Sequence, residues 1–325
     1  EGITYKPLFD YAVSEIDLSN CFKVLIDDYV SDDSGTGLVH QAPAFGEDDL
    51  RVCLASGIPV FDPVDAHGNF KEGMPLIGGI NFKEADKLIS RDLKDRGFMF
   101  KQQTLQHNYP FCWRTDTPLM YKAISSWFVS IEKIKEKLLQ NAEEIHWVPG
   151  HIKQGRFGNW LENARDWAIS RNRFWGCPLP IWRSEEGDLI CVGSVQELED
   201  LCGKSVSDIH KHFVDDLVIN KDGKTYHRVP EVLDCWFESG SMPYGQQHYP
   251  FKNQEKFESN YPADFICEGI DQTRCWFYYL HVIGTALFNR PAFRNVICTG
   301  LILAEDGKKL SKRHKNYTPP MEVFG

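Results

Sequence analysis

A strand, a tight turn, a helix and a second strand succeed one another between residues 264 and 303, and no other stretch limits the fold as much. Asp264-Phe-Ile-Cys267 reads as a short apolar strand and Glu268-Gly-Ile-Asp271 as its turn. Gln272 to Phe288 reads as a helix, and Asn295 to Leu303 as the returning strand. Two strands joined through a helix should lie parallel in one sheet, with a right-handed crossover. Ligands of an open parallel sheet sit outside the carboxyl ends of its strands. The chain is therefore expected to be α/β, with a site where the Glu268 turn meets the segment after Leu303.

That segment is Ala304-Glu-Asp-Gly-Lys-Lys-Leu-Ser-Lys-Arg313, a Gly-containing loop with Lys309 and Lys312 three residues apart. Compact ammonium groups on flexible stems suit phosphates. If the loop closes over a triphosphate, they stabilise the charge that builds up as pyrophosphate leaves. The competing reading is a solvated basic run or a localisation patch. On the other segment, Gly269 lets backbone approach a ligand, and Glu268 at the strand tip could hold a substrate ammonium. Asp271 is expected to cap the helix and could also accept hydrogen bonds from ribose hydroxyls. Trp236, in Asp234-Cys-Trp-Phe-Glu-Ser-Gly240, and Trp276 could wall an apolar pocket, although tryptophan is more often core.

At 325 residues the chain has room for about two domains with proper cores. Residues 1–104 alternate short apolar runs with Gly and Pro, as in Thr36-Gly-Leu-Val-His40 and Gly57-Ile-Pro-Val-Phe61, which suggests a small β-rich domain. One helix stands out there: Phe82, Ala85, Leu88, Ile89 and Leu93 share a face, and Gly97 sits where a C-terminal cap belongs. Residues 105–146 read as a linker with a helix, and 147–325 as the domain that holds the β-α-β unit. Within the latter, Gly158 to Ser170 is expected to be an amphipathic helix, and the polar stretch 183–228 an irregular surface insertion. The opening Glu1-Gly-Ile-Thr-Tyr-Lys-Pro, without Met, reads as the interior of a longer polypeptide. A net charge of −10 argues against wholesale capture of nucleic acid by charge but leaves room for a local basic track. No run has the length of a membrane span, and none of the ten cysteines falls in a Cys-x-x-Cys spacing, so reduced thiols in the cytoplasm and no zinc site are expected.

Trp236-Phe-Glu-Ser-Gly-Ser-Met-Pro-Tyr244, Glu268-Gly-Ile-Asp-Gln-Thr-Arg-Cys-Trp-Phe277 and Lys309-Leu-Ser-Lys-Arg313 stand in the order and spacing of a class I aminoacyl-tRNA synthetase. The last resembles the Lys-Met-Ser-Lys-Ser signature, with Leu310 for Met and Arg313 for the final Ser. Gly35-Thr-Gly-Leu-Val-His-Gln-Ala-Pro-Ala-Phe-Gly-Glu-Asp-Asp49, Ser126-Trp-Phe128 and Arg173-Phe-Trp-Gly-Cys-Pro-Leu-Pro-Ile-Trp182 narrow the likeness to the isoleucyl branch, of the kind found in eukaryotic cytosol. The resemblance implies the second half of a Rossmann-like catalytic domain, preceded by the C-terminal part of an editing domain. It also implies ATP as substrate with Mg²⁺, isoleucine and tRNA(Ile) as partners, and membership of a multi-synthetase complex.

Carried over position by position, the resemblance has Trp236 and Trp276 flank the isoleucine side chain. Glu268, Gly269, Asp271 and Gln272 would bind the adenylate, Gly300, Leu301 and Ile302 would offer main chain to adenine, and Lys309 and Lys312 would serve pyrophosphate departure. His40 and Asp49 would belong to the editing site, with Asp49 anchoring the amino group of a misacylated tRNA end. From the residues themselves, His40 should end a strand, and Asp48 should cap a helix that begins near Glu47. The His-Ile-Gly-His signature and the Thr-rich editing strand are not in this sequence, and Cys112-Trp-Arg-Thr115 lacks the second thiol of a zinc-type motif. The isolated chain is accordingly expected to be inactive. Two rival readings are a noncatalytic RNA-binding module, using Arg156, Trp160, Arg165, Trp167, Arg171, Arg173 and Trp175 as a stacking track, and a free-standing tRNA-editing hydrolase.

Overall fold

The computed structural model describes residues 2–11, 16–33, 36–104, 106–112, 115–310 and 315–325. Lys312 and Arg313 of the lysine loop, and Trp113 and Arg114, lie outside the described residues. The chain divides into two compact units, Glu1–Ser125 and Ser126–Gly325. Among the described residues, no helix is long and apolar enough to cross a membrane.

The second unit is built on the expected β-α-β motif. Strand Ala263–Gly269 lies parallel to Phe293–Thr299, which in turn lies parallel to His146–Val148. The connecting helix, Trp276–Phe288, is apolar around most of its circumference, which suits only a buried position. Phe277, Tyr278, Leu280, Val282 and Ile283 are all buried, in one core with Trp147, Val296 and Cys298 from the inner face of the sheet. Phe265, Ile297 and Val148 occupy the other face and stay exposed by 60%, 43% and 47%. The returning strand ends at Thr299, short of the expected Leu303.

The expected helix over Gly158 to Ser170 is overturned in its second half. The helical run covers 151–162, while Trp167–Ala168 and Ser170–Arg171 are short strands paired with Phe128–Val129 and Val232–Leu233. Leu161, Ala164 and Trp167 are buried all the same, so the apolar positions are real and only their periodicity misleads. The stretch 183–228 is not irregular either. Strands Leu189–Cys191, Ile181–Ser184, Lys224–Arg228 and Val218–Lys221 form an antiparallel sheet in that spatial order. Trp182, Val192, Leu198, Ile219 and Tyr226 give it a core of its own. Its charged positions alternate with inward apolar ones, which makes a half-buried ladder look polar on average.

In the first unit, helices Glu47–Ala55 and Phe82–Asp95 stand among turns and extended chain that, among the described residues, pairs only in isolated bridges, such as Thr4 with Lys23 before the first helix and Val64 with Phe70 between the two. The Gly and Pro punctuation that suggests strands breaks them before a ladder can form. The second helix obeys its signals: the Asn81 side chain accepts the Lys83 amide at 3.1 Å, Ala85 is fully buried, and Gly97 takes φ +76 just past the end.

Candidate functional site

Glu268 and Gly269 end the first parallel strand opposite Cys298 and Thr299, so the carboxyl ends of both strands open at one edge. The chain then turns through a 3₁₀ segment, Ile270–Arg274, before the Trp276 helix begins. Asp271 does not cap that helix. The N-cap position of the helix is Cys275, and Gln272 satisfies the first amide from the preceding turn: Gln272 Oε1 accepts the Trp276 amide at 3.0 Å, while its Nε2 donates to Asp271 Oδ2 at 3.3 Å. A 3₁₀ turn inserted before the helix moves Asp271 too far upstream to reach the first free amides. Asp271 and Glu268 are left exposed at the site edge, and Glu268 has no polar partner among the described residues.

Trp236 and Trp276 sit on two helices that touch. Gly240 lets the Cys235–Gly240 helix approach closely: a Cβ there would lie 2.9 Å from Ile283 Cδ1 and 3.2 Å from the Tyr279 backbone. The Trp236 ring stacks on Tyr279 at 5.8 Å and 13°, and Trp276 Nε1 donates to the Ser239 carbonyl at 3.0 Å. Both indoles are half-buried, so each keeps an edge toward solvent.

Asp234 organises this corner. It is 2% exposed, and its side chain accepts Trp167 Nε1 at 3.0 Å and the Trp236 amide at 3.4 Å, and pairs with Arg171 at 2.9 Å. Burial, and then the Asp234 carboxylate, push the Tyr279 phenol up to about 12. An Asp directly ahead of an aromatic-rich helix carries a capping signal that points to this role. Nothing in the sequence pairs Arg156 with Thr273, whose side chains meet at 2.9 Å at the 3₁₀ turn.

Past the sheet, Gly300, Leu301 and Ile302 are exposed and belong to no strand. The lysine segment then folds back as a hairpin: Leu303 bridges Lys309, the Ala304 amide donates to the Lys308 carbonyl at 2.8 Å, and Gly307 takes φ +74 at the turn. Lys308 pairs with Asp306 at 3.0 Å, whereas the exposed Lys309 ammonium has no carboxylate partner among the described residues.

In the first unit, His40 lies in irregular chain rather than at a strand end, because no ladder forms there among the described residues. It lines an apolar cavity of about 370 Å³ with Tyr5, Phe61 and Cys53, and Asp49 is not among the lining residues. Gly46, not Asp48, is the N-cap of the Glu47–Ala55 helix, and Asp48 pairs with Arg51 at 3.4 Å instead. Asp49 folds back over Gly46, and its Oδ2 accepts the Ala42 amide at 3.0 Å. Among the described residues, no three His, Cys, Asp or Glu side chains gather to hold a metal ion.

A family model for class I tRNA synthetases (I, L, M and V) matches residues 4–325. The isoleucine–tRNA ligase of Chlamydia pneumoniae is 57% identical over 323 residues, which cover 99% of this chain and 31% of that protein. The isoleucine–tRNA ligase of Bdellovibrio bacteriovorus is 58% identical over 325 residues, with the same two shares. The chain thus spans 31% of the length of these curated relatives. A solved structure, Mycobacterium tuberculosis methionyl-tRNA synthetase bound by methionyl-adenylate, is similar at 14% identity and a TM-score of 0.42, over 87% of this chain and 52% of that one.

Proposed function

Because the chain belongs to the class I tRNA synthetases (I, L, M and V), we propose that it is part of a cytoplasmic isoleucine–tRNA ligase that activates isoleucine with ATP and passes it to tRNA(Ile). The observation that carries this reading is the convergence of Glu268, Asp271 and Gln272 at the carboxyl edge of two parallel strands, with the Trp236 and Trp276 helices beside them. Glu268 offers its carboxylate, unpartnered among the described residues, and Asp271 its Oδ1, with Oδ2 held by Gln272, to an ammonium or to ribose hydroxyls, and the exposed Gly300–Ile302 segment suits a purine edge. Trp236 and Trp276 supply rigid apolar surface for an aliphatic side chain. Lys309, with Lys312 beyond it, would meet the triphosphate and stabilise charge on departing pyrophosphate. The described donor set does not fit a protein cage for Mg²⁺, so an ion accompanying ATP would be held by phosphate oxygens.

A pocket that merely fits isoleucine discriminates against valine by about 1–3 kcal/mol, this amino-acid pair being the standard illustration of that limit. A hydrolytic editing site is therefore part of the proposal, with Asp49 holding the α-ammonium of valyl-tRNA and His40 lining the pocket. Asp49 keeps Oδ1 for that purpose, since Oδ2 is engaged with Ala42. The RNA-module reading loses ground because Trp167 is buried, and Arg156 and Arg171 are bonded to Thr273 and Asp234.

The test is isoleucine-dependent exchange of pyrophosphate into ATP by the polypeptide that carries this chain at its relatives' full length. Trp236→Ala and Trp276→Ala should raise KM for isoleucine, and Lys309→Ala should lower kcat with little change in that KM. Exchange driven better by leucine, valine or methionine than by isoleucine would refute the assignment. The 325-residue chain alone should give no charging of tRNA.

A further inference from the structure

The 3₁₀ turn that carries Asp271 and Gln272 is fastened from beneath. The helical run over 151–162 is wound as a π-helix at Lys153–Gly158, a form that is rare and concentrates at functional sites. Gly158 suits the widened turn, since a Cβ there would stand 2.9 Å from the Lys153 carbonyl oxygen. Successive residues of this turn go to different places. Phe157 enters the core against Trp147, with ring centroids 4.8 Å apart, while Arg156 reaches the 3₁₀ turn and donates from Nε to Thr273 Oγ1 at 2.9 Å.

Thr273 is fully buried, and its hydroxyl proton goes to the Ile270 carbonyl at 2.7 Å. The hydroxyl can then only accept from Arg156, so the two bonds form one polarised chain from guanidinium to the first residue of the turn. A second tie runs alongside, with the Arg274 guanidinium 5.1 Å from the Trp160 ring centroid. Burial raises the thiols of Cys275 and Cys298, and the Arg156 charge offsets part of that rise at each. The cation therefore sits where the start of the long helix and the end of the central strand converge. Its two Nη groups have no hydrogen bond to a described residue, so the contact the fold uses is the one from Nε.

We propose that Arg156 is a positioning residue: through Thr273 it holds the 270–274 turn in the shape that presents Asp271 and Gln272. The link to nucleotide binding rests on the proposed ribose site; the mechanical claim does not. The test is hydrogen–deuterium exchange on the 325-residue chain, comparing wild type with Arg156→Gln, Thr273→Val, the double variant and Arg156→Lys. Losing one hydrogen bond to a charged group should speed exchange across residues 270–276 about tenfold. Protection of helix Lys135–Ala142 should stay unchanged. Thr273→Val should match Arg156→Gln, the double variant should add nothing, and Arg156→Lys should restore part of the protection. Unchanged exchange in 270–276, additive effects in the double variant, or loosening of the whole second unit would each overturn the proposal. AMP binding by the full-length polypeptide is the second measurement, and Arg156→Gln should weaken it several-fold while leaving KM for isoleucine alone. Wild-type protein that binds no AMP would sink the ribose-site reading, while the exchange pattern would still decide whether Arg156 holds the turn.

Discussion

His281 should make the second unit sensitive to mild acid. The side chain is fully buried in the Trp276–Phe288 helix, and its Nε2 donates to the Leu138 carbonyl at 2.8 Å, which fixes the tautomer. Nδ1 is buried with no hydrogen-bond partner among the described residues, and the ring lies edge-on to Phe157. A proton on Nδ1 would bring a charge into this core with nothing to accept it, and burial accordingly lowers the imidazole from its ordinary 6.5 to about 4. Below pH 6.5 the unfolded chain takes up a proton that the folded chain refuses, so stability falls as pH falls and the loss levels off below about 4. Integrated over that window, the loss is about 2 kcal/mol at pH 5 and about 3 kcal/mol at pH 4. His281→Gln keeps a donor for Leu138 and removes the titration. Urea unfolding monitored by tryptophan fluorescence at pH 7.5 and pH 5 should show wild type losing about 2 kcal/mol more than the variant, with equal slopes. Carboxylates that titrate in both proteins cancel from this difference. Identical pH dependence would refute the argument.

Asp234→Ala removes a helix cap and the partner of Arg171, and strands Trp167 Nε1; about 3 kcal/mol should be lost in urea unfolding, and a loss under about 1 kcal/mol would contradict the hub role. Gly284→Ala places a Cβ 2.5 Å from Tyr261 Oη and 3.1 Å from the Arg290 carbonyl oxygen, so Tm should fall by roughly 5 °C in calorimetry. Lys309→Ala should change unfolding free energy by less than about 0.5 kcal/mol, because the side chain is exposed and unpaired among the described residues, while pyrophosphate exchange drops sharply.

The β-α-β unit is legible because its signals agree: short apolar strands, a Gly turn, and a helix apolar enough to be buried. The helix over Phe82–Asp95 is legible for the same reason, with Asn81 and Gly97 marking its ends. Residues 158–170 mislead because Leu161, Ala164 and Trp167 are buried by two different geometries, a helix and then a strand that reaches Asp234 across the fold. Sequence spacing cannot carry a contact made 67 residues away. Asp271 looks like a cap for a local reason, since only the inserted 3₁₀ turn hands that duty to Gln272. Glu268 and Gly269 end the first parallel strand, and Trp276 opens the helix that follows with its Nε1 on the Ser239 carbonyl of the Trp236 helix, whereas Lys312 lies outside the described residues. The packing that holds them, through Asp234, Thr273 and Arg156, is tertiary and leaves little trace in the order of residues.

The uncovered side of the three-stranded sheet has a practical consequence. Parallel sheets are normally sandwiched, yet here Phe265, Ile297 and Val148 line up across neighbouring strands in contact with water. Such a row of oily side chains is adhesive. Concentrated solutions of the purified chain should therefore cloud or form aggregates sooner than a net charge of −10 would lead one to expect, and a charge at position 265 is the simplest way to keep it dispersed.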